Sequence, residues 1–350
     1  MAPRRMPDAP DARTDPSTAP LTFRLATAAD VPALDALWAD DAGWGGLTAA
    51  QWRSWYVDTP YGECPVAVAV DADGSAVGQL AFTPARVLVD GAEVPALRLS
   101  APILRRDLRR TLLDATHPVI GMYDAVVHDA VRRGVALVYA LPDPAWLGFF
   151  GWAARRDLAY ADFATAEFAC RSRDVRDDVA GVRAHGWTTE RVAAFGPEFD
   201  AFWDATATGA EAHGGVGPRC AVVRRAAWLT FKHGGAGVRV ALRERRAGRL
   251  AGYAVVRRSD GLLTDVLAHD AAAYAPLLAG ALREVARAHA GGDAIPPHVR
   301  ALDTPALRPA LDQCGFVPVD YRFAFACVPL PGGPLAARVA PTRWHLAGGD

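Results

Sequence analysis

The sequence predicts a soluble α/β protein of mixed sheets flanked by helices, and three observations predict it. Apolar runs of strand length alternate with segments whose apolar residues recur every three or four positions. A series of six segments in the first half returns in the same order in the second. At 350 residues, 51% hydrophobic and 22% charged, the chain is long enough for two cores.

The first twenty residues, rich in Pro, Asp and Ser, lack the run of roughly 7–15 apolar residues that a signal peptide needs and read as a disordered leader, 1–20. The first half then spans 21–172. "DVPALDALWADDAG" (30–43) has helical spacing, and "PVAVAVDADGSAVGQLAF" (65–82) is a pair of apolar runs around a polar, Gly-containing turn, the pattern of a hairpin. "LLDATH" (112–117) reads as a strand leading into the helix-period segment "HPVIGMYDAVVHDAVRRG" (117–134). "VALVYAL" (135–141) is a continuous apolar run, as in a strand covered on both faces. "PDPAWLGFFGW" (142–152) and "YADFATAEFAC" (160–170) close the half.

The charged stretch 170–186 breaks this periodicity, and the second half, 183–329, repeats the series before a tail at 330–350. "GPEFDAFWDATATG" (196–209) answers the first helix, with Trp203 in the place of Trp38. "VRVALRERRAGRLAGYAVV" (238–256) answers the hairpin, "LTDVLAH" (263–269) the strand before the long helix, and "YRFAFAC" (321–327) the last strand.

Composition excludes several classes. Formal net charge is −1 and pI about 6.8, so no overall basic field recruits nucleic acid or an acidic membrane. No run approaches the roughly 20 apolar residues of a membrane span. The five cysteines (Cys64, Cys170, Cys220, Cys314, Cys327) form no CxxC pair, which points away from disulfides and zinc and towards a reduced, cytoplasmic setting. The sequence has no HExxH, GxSxG, GxxxxGK[ST] or GxGxxG, so no metal is expected, and hydrolase, P-loop and Rossmann chemistry are disfavoured. Paired tryptophans such as Trp52 and Trp55, and Tyr123 and Tyr139, read as core.

The turn before the long helix is the first candidate site. Val119, Ile120, Tyr123, Val126, Val127, Ala130 and Val131 form one apolar stripe, with Asp124, His128 and Arg132 on the wet face. Pro118 suits the first helical position, with Thr116 or His117 capping and Gly134 ending the helix. This leaves the amides of Val119, Ile120, Gly121 and Met122 at the positive end of the helix dipole, where they can hold an anion, and Gly121 would admit it close to the backbone.

Over roughly 21–170 and 183–330 the chain resembles the GNAT acyltransferase superfamily, which implies two tandem GNAT-like folds. "FRLATAADVPALDALW" looks like that family's first strand and helix, "PVAVAVDADGSAVGQLAF" its second and third strands, "ATHP" the end of its fourth, and Gly151-Trp152 its late Gly-aromatic step. The resemblance implies an acyl-coenzyme A, with its pyrophosphate on Ala115, Thr116, His117 and Val119 to Met122. Its pantetheine arm would run between diverging strands at 112–116 and 135–141. The family's loop is [RQ]-x-x-G-x-[GA]; here 116–121 read "THPVIG", and only the last glycine fits. A second register puts the fourth strand at "PALRLSAPIL" (95–104) and the loop at the arginines of "RRDLRR" (105–110). The tyrosine that often serves the family as general acid is absent where this chain has "WLGFF". In the second half "AHDAAAYAPLL" has no glycine loop and sets Asp270 where phosphate needs a positive field, so no coenzyme A is expected there.

The expected activity is therefore N-acyl transfer, acetyl in the simplest case, from acyl-CoA to an amine on a small molecule or peptide. Asp114, just before the turn, is placed to take the proton from the amine, or alternatively caps the strand end. A protein that has kept the fold as a catalytically inactive binding or scaffolding module is the alternative that the eroded loop supports.

Overall fold

The computed structural model describes residues 20–42, 45–100, 102–109, 117–146, 164–176, 182, 186–208, 219–235, 237–330, 335 and 338–350. Contacts divide the chain into two compact units. The described residues of Met1–Thr48, Val66–Leu80 and Pro102–Val126 form one, and those of Ala49–Pro65, Ala81–Ala101 and Val127–Asp350 form the other.

In the first unit, β1 (Thr22–Leu25) alternates exposed and half-buried residues and pairs antiparallel with β2 (Val66–Val70), Phe23 opposite Ala69. Between them α1 (Val31–Asp41) buries Leu34, Leu37 and Trp38, the three- and four-residue spacing that puts side chains on one face. Its entry is fixed by a capping box in which Asp30 accepts from Thr27 N–H while Arg24 grips the same carboxylate at 2.7 Å through both terminal nitrogens. Trp38 Nε1 donates to Gln79 Oε1, a polar pair inside the core. β2 turns through Asp71–Ser75 into β3 (Ala76–Val89), as the hairpin pattern predicts, and the short β5 (Ile103–Leu104) pairs with Gly78 and Gln79.

β3 carries its later residues into the second unit, and there the sequence reading is corrected. The fourth strand, expected at 112–116 in the first register and at 95–104 in the second, is β4 (Ala92–Leu99), which folds back on residues 82–89. The cause is a two-residue turn, Asp90-Gly91, with φ of 47° and 84°. Two positive φ values match the right-handed twist of the flanking strands and make a tight hairpin. β4 then runs parallel to β6 (Leu137–Ala140), Leu97 opposite Val138, the pair that the expectation had assigned to 112–116 and 135–141. Residues 110–116 lie outside the described residues. The crossover is α3 (Pro118–Arg132), which begins at Pro118 and is followed by Gly134 at φ +73°, as the cap residues predict.

The rest of the second unit holds β7 (Ala164–Asp174), β8 (Trp187–Arg191), α4 (Pro197–Thr208), β9 (Cys220–Val222), α5 (Ala226–His233), β10 (Gly237–Glu244), β11 (Leu250–Arg257) and β12 (Leu263–Ala268). It continues with α6 (Tyr274–Ala290), β13 (His298–Leu302), α7 (Arg308–Gln313), β14 (Val317–Pro329) and β15 (Trp344–His345). β8, β10, β11 and β12 form an antiparallel sheet of four, and Leu262 makes a parallel bridge to Arg300. This order repeats that of β1, β2, β3, β4 and β6. Trp38 and Trp203, matched by the repeat, are both buried in the first long helix of their series.

The final strands do not stay with their own series. β14 lies between β6 and β7, and β7 pairs on its other side with β13. Tyr123 and Tyr139 are core, as expected, whereas Trp55 is 45% exposed and is not. No helix among the described residues is long and apolar enough to cross a membrane.

Candidate functional site: the strand-to-helix turn and its counterpart

Downstream of β5 the chain reaches the loop of Arg105, Arg106 and Arg109, and then, beyond residues 110–116, the start of α3 at His117 and Pro118. Asp114, Ala115 and Thr116 lie outside the described residues; His117 and Val119 to Met122 lie in the first unit.

The turn is more closed than its sequence implies. His117 is buried, and its Nδ1 accepts the Val119 amide at 3.3 Å, while the Ile120 amide donates to His117 O at 2.9 Å. Two of the four amides expected to face an anion are thus taken. A Cβ on Gly121 would lie 2.3 Å from Phe23 Cδ2, so the missing side chain makes room for a ring of β1. The same logic holds at Gly78, where a Cβ would come within 3.3 Å of Met122 Cε and closer still to Leu104. These glycines let α3 sit tightly on the sheet; Val119, Ile120 and Met122 are buried in that contact.

The arginines carry the loop's positive charge, and carboxylates meet most of it. Arg105 binds Asp107 in a bidentate pair at 2.8 and 3.1 Å and reaches Asp71 at 3.0 Å. That grip helps hold Asp107, and the Ser75 and Asp73 amides help hold Asp71, below the usual carboxylate range. Arg109 donates to Leu104 O and to Asp41 O. Among the described arginines of the loop Arg106 is the open one, Arg110 lying outside them: its side chain is 78% exposed, and only its backbone amide closely engages Asp41, at 3.0 Å.

The counterpart in the second series is closed twice over. Asp270 Oδ1 accepts the Ala272 amide, occupying the turn after β12 with a carboxylate. The edge of β12 that diverges from β13 is covered by the segment 344–350. His345 Nε2 donates to Val266 O at 2.7 Å, Gly348 N–H to Leu263 O at 3.2 Å and Gly349 N–H to Thr264 O at 3.0 Å.

This strap ends in an ion cluster that sequence reasoning missed, with Arg224, Asp265 and Asp350 fully buried at its centre. Arg224 donates to Asp265 at 2.8 Å and to Asp350 at 2.6 Å, Lys232 Nζ donates to Asp350 at 3.0 Å, and His233 Nε2 pairs with Asp265 at 3.1 Å. Arg98 of β4 donates to Asp350 O at 2.9 Å. Burial alone would raise both carboxyls, but Arg224 beside them reverses this, so Asp265 is held well below its ordinary range and Asp350 below it. Burial pulls Lys232 and His233 down. The signal was present in "LTDVLA": an aspartate in an otherwise apolar buried strand requires a cation.

No protein-family model and no curated protein sequence matches the chain. Solved structures do resemble it. A conserved protein from Enterococcus faecalis V583, described as a probable N-acyltransferase, aligns at TM-score 0.58 and 15% identity over 87% of this chain and 72% of that one. A tandem GNAT protein from the clavulanic acid biosynthesis pathway aligns at TM-score 0.54 and 18% identity over 90% of this chain and 100% of that one. The N-myristoyltransferase of Saccharomyces cerevisiae, solved with bound myristoyl-CoA, aligns at TM-score 0.54 and 10% identity over 95% and 85%. The chain has the GNAT fold.

Proposed function

We propose that the chain is an acyl-CoA-dependent N-acyltransferase, with 21–172 carrying the donor site and 183–329 a closed second copy. The observation that carries this is the antiparallel hairpin of β3 and β4 followed by a parallel β4–β6 pair with α3 as its crossover, in a fold shared with a probable N-acyltransferase and an N-myristoyltransferase. The acyl donor is an acyl-CoA, acetyl-CoA in the simplest case, and the acceptor an amine on a small molecule or peptide. Buried, free thiols at all five cysteines suit a reducing compartment such as the cytoplasm.

The residues fit an anion in one place and not in another. Phe23 fills the space before Gly121, whose amide, like that of Met122, enters the helix's own hydrogen-bond ladder, so the coenzyme's phosphates would rest instead on Arg106. Attack of the amine on the thioester carbonyl requires loss of a proton, and Asp114 is the proposed base. A thiol has a pKa near 8.5, so thiolate can leave without the missing tyrosine, at the cost of the roughly 10²–10⁴-fold that acid assistance supplies.

The pairing of Arg105 with Asp71 and Asp107, and of Arg109 with Asp41, favours a second possibility, an inactive binding or scaffolding protein. One pair of measurements separates them. Acetyl-CoA at 100 times its Kd should stabilise the fold by about 2.7 kcal/mol. Thiol release across a panel of amines should be slow but measurable, and Asp114→Asn should lower kcat more than it weakens acetyl-CoA binding. Binding without turnover on any amine supports the inactive module.

A further inference from the structure

A cavity of about 270 Å³ opens beside the buried ion cluster, lined by Lys232, His233, Val255, Arg257, Thr264 and Gly349 among others. It is just below the range of pockets that hold drug-sized ligands, and so of a size for a small metabolite. Every charged side chain on its wall is basic. The carboxylates that answer these cations, Asp350 behind Lys232 and Asp260 behind Arg257, are not part of the lining.

Two of the lining groups have unused hydrogen-bonding capacity. Lys232 carries three N–H donors; it bonds Asp350 and lies 5.9 Å above the Trp228 ring, and no other partner takes its hydrogens among the described residues. His233 Nε2 faces Asp265, and an ionised carboxylate only accepts, so Nε2 bears the hydrogen and Nδ1 is left as an acceptor. Among the described residues Nδ1 has no donor. Val255 is the apolar side chain of the remaining wall, beside Thr264 and glycine backbone.

We propose that this cavity binds a small organic hydroxy acid. Its carboxylate would meet Lys232 and Arg257, its hydroxyl would donate to His233 Nδ1, and its apolar body would lie against Val255. An inorganic anion leaves the apolar wall and His233 unmet. An amino acid would bring an ammonium into a basic lining, which costs more than a neutral hydroxyl. This site lies within the second series and the tail that covers it and does not depend on the acyltransferase proposal.

Mandelate and phenylacetate, which share a carboxylate and a ring and differ by one hydroxyl, test it on the full chain, with phosphate at equal ionic strength as control. Mandelate should raise the Tm saturably and bind roughly 2- to 10-fold tighter than phenylacetate, the value of one neutral hydrogen bond. It should also shift the His233 Nδ1 resonance in nitrogen NMR. Lys232→Met should abolish the effect. Because that change takes one of Asp350's two side-chain cations, Arg257→Met, at a half-exposed side chain, is the companion variant, and should weaken mandelate about tenfold or more. Protection no greater than that given by phosphate, or protection unchanged in Arg257→Met, overturns the proposal.

Discussion

The approach of Phe23 to Gly121 decides how that glycine should be tested. A β-branched residue there would meet the ring at 2.3 Å, inside any real contact distance. Gly121→Val should therefore destabilise the protein, by about 1–3 kcal/mol as overpacked cores do, whatever coenzyme A does. Pairing it with Phe23→Ala should recover a measurable part, because two groups that share one space do not act additively. Urea unfolding of the two single variants and the double gives the coupling; strict additivity would place Phe23 elsewhere. Arg106→Ala is the cleaner probe of the phosphates, since its exposed side chain packs against little.

At the scale of elements, the strap 344–350 ties β9, β12 and β4 together through mostly buried groups. Removing one member of such a cluster leaves a buried charge unpaired, whereas the intact set is closely compensated. His345 gives this region a pH signature. Burial, with Arg224 nearby, lowers its pKa to about 4, from an ordinary value near 6.5. Between these values the unfolded chain holds a proton that the folded chain does not, so the stabilisation is complete above pH 6.5 and is lost as pH falls towards 4. The loss should reach about 3 kcal/mol. His233, also lowered, adds in the same direction. Unfolding free energy measured from pH 7 to pH 4 should fall steeply in the wild type and less so in His345→Gln, which keeps an N–H donor for Val266 O. Equal slopes would mean that His345 does not sense the acid.

At the scale of the whole chain, the exchanged strands make the two sequence halves depend on each other. β6, buried at all four positions, has β14 on one side, and β7 lies between β14 and β13. A fragment ending at residue 182 would expose the apolar edge of β6 and both sides of β7, and unpaired apolar edges invite aggregation. Residues 1–182 and 183–350 should each fail to unfold cooperatively alone, and should form a one-to-one complex when expressed together. A sharp, reversible melt of 1–182 by itself would show that the exchange is dispensable.

Most single elements were legible in the sequence, because what specifies them is local. Apolar spacing marked α1, α3 and α6, and glycine-bearing turns marked the β2–β3 and β10–β11 hairpins. The Asp90-Gly91 turn was equally local, and it favours the register with the fourth strand at 95–104 over the one at 112–116. What the tertiary structure alone decided is which edges meet. The apolar run of β6 fits any neighbour that covers it, so nothing in "LVYA" selects β14 over β7. Likewise no spacing brings Arg224, Asp265 and Asp350 together, or sets Phe23 against Gly121, because residues so far apart in sequence meet only when packing has fixed both chains. Local chemistry chose the elements; competition among buried surfaces, settled over the whole fold, chose their partners and closed the second turn while leaving Arg106 of the first exposed.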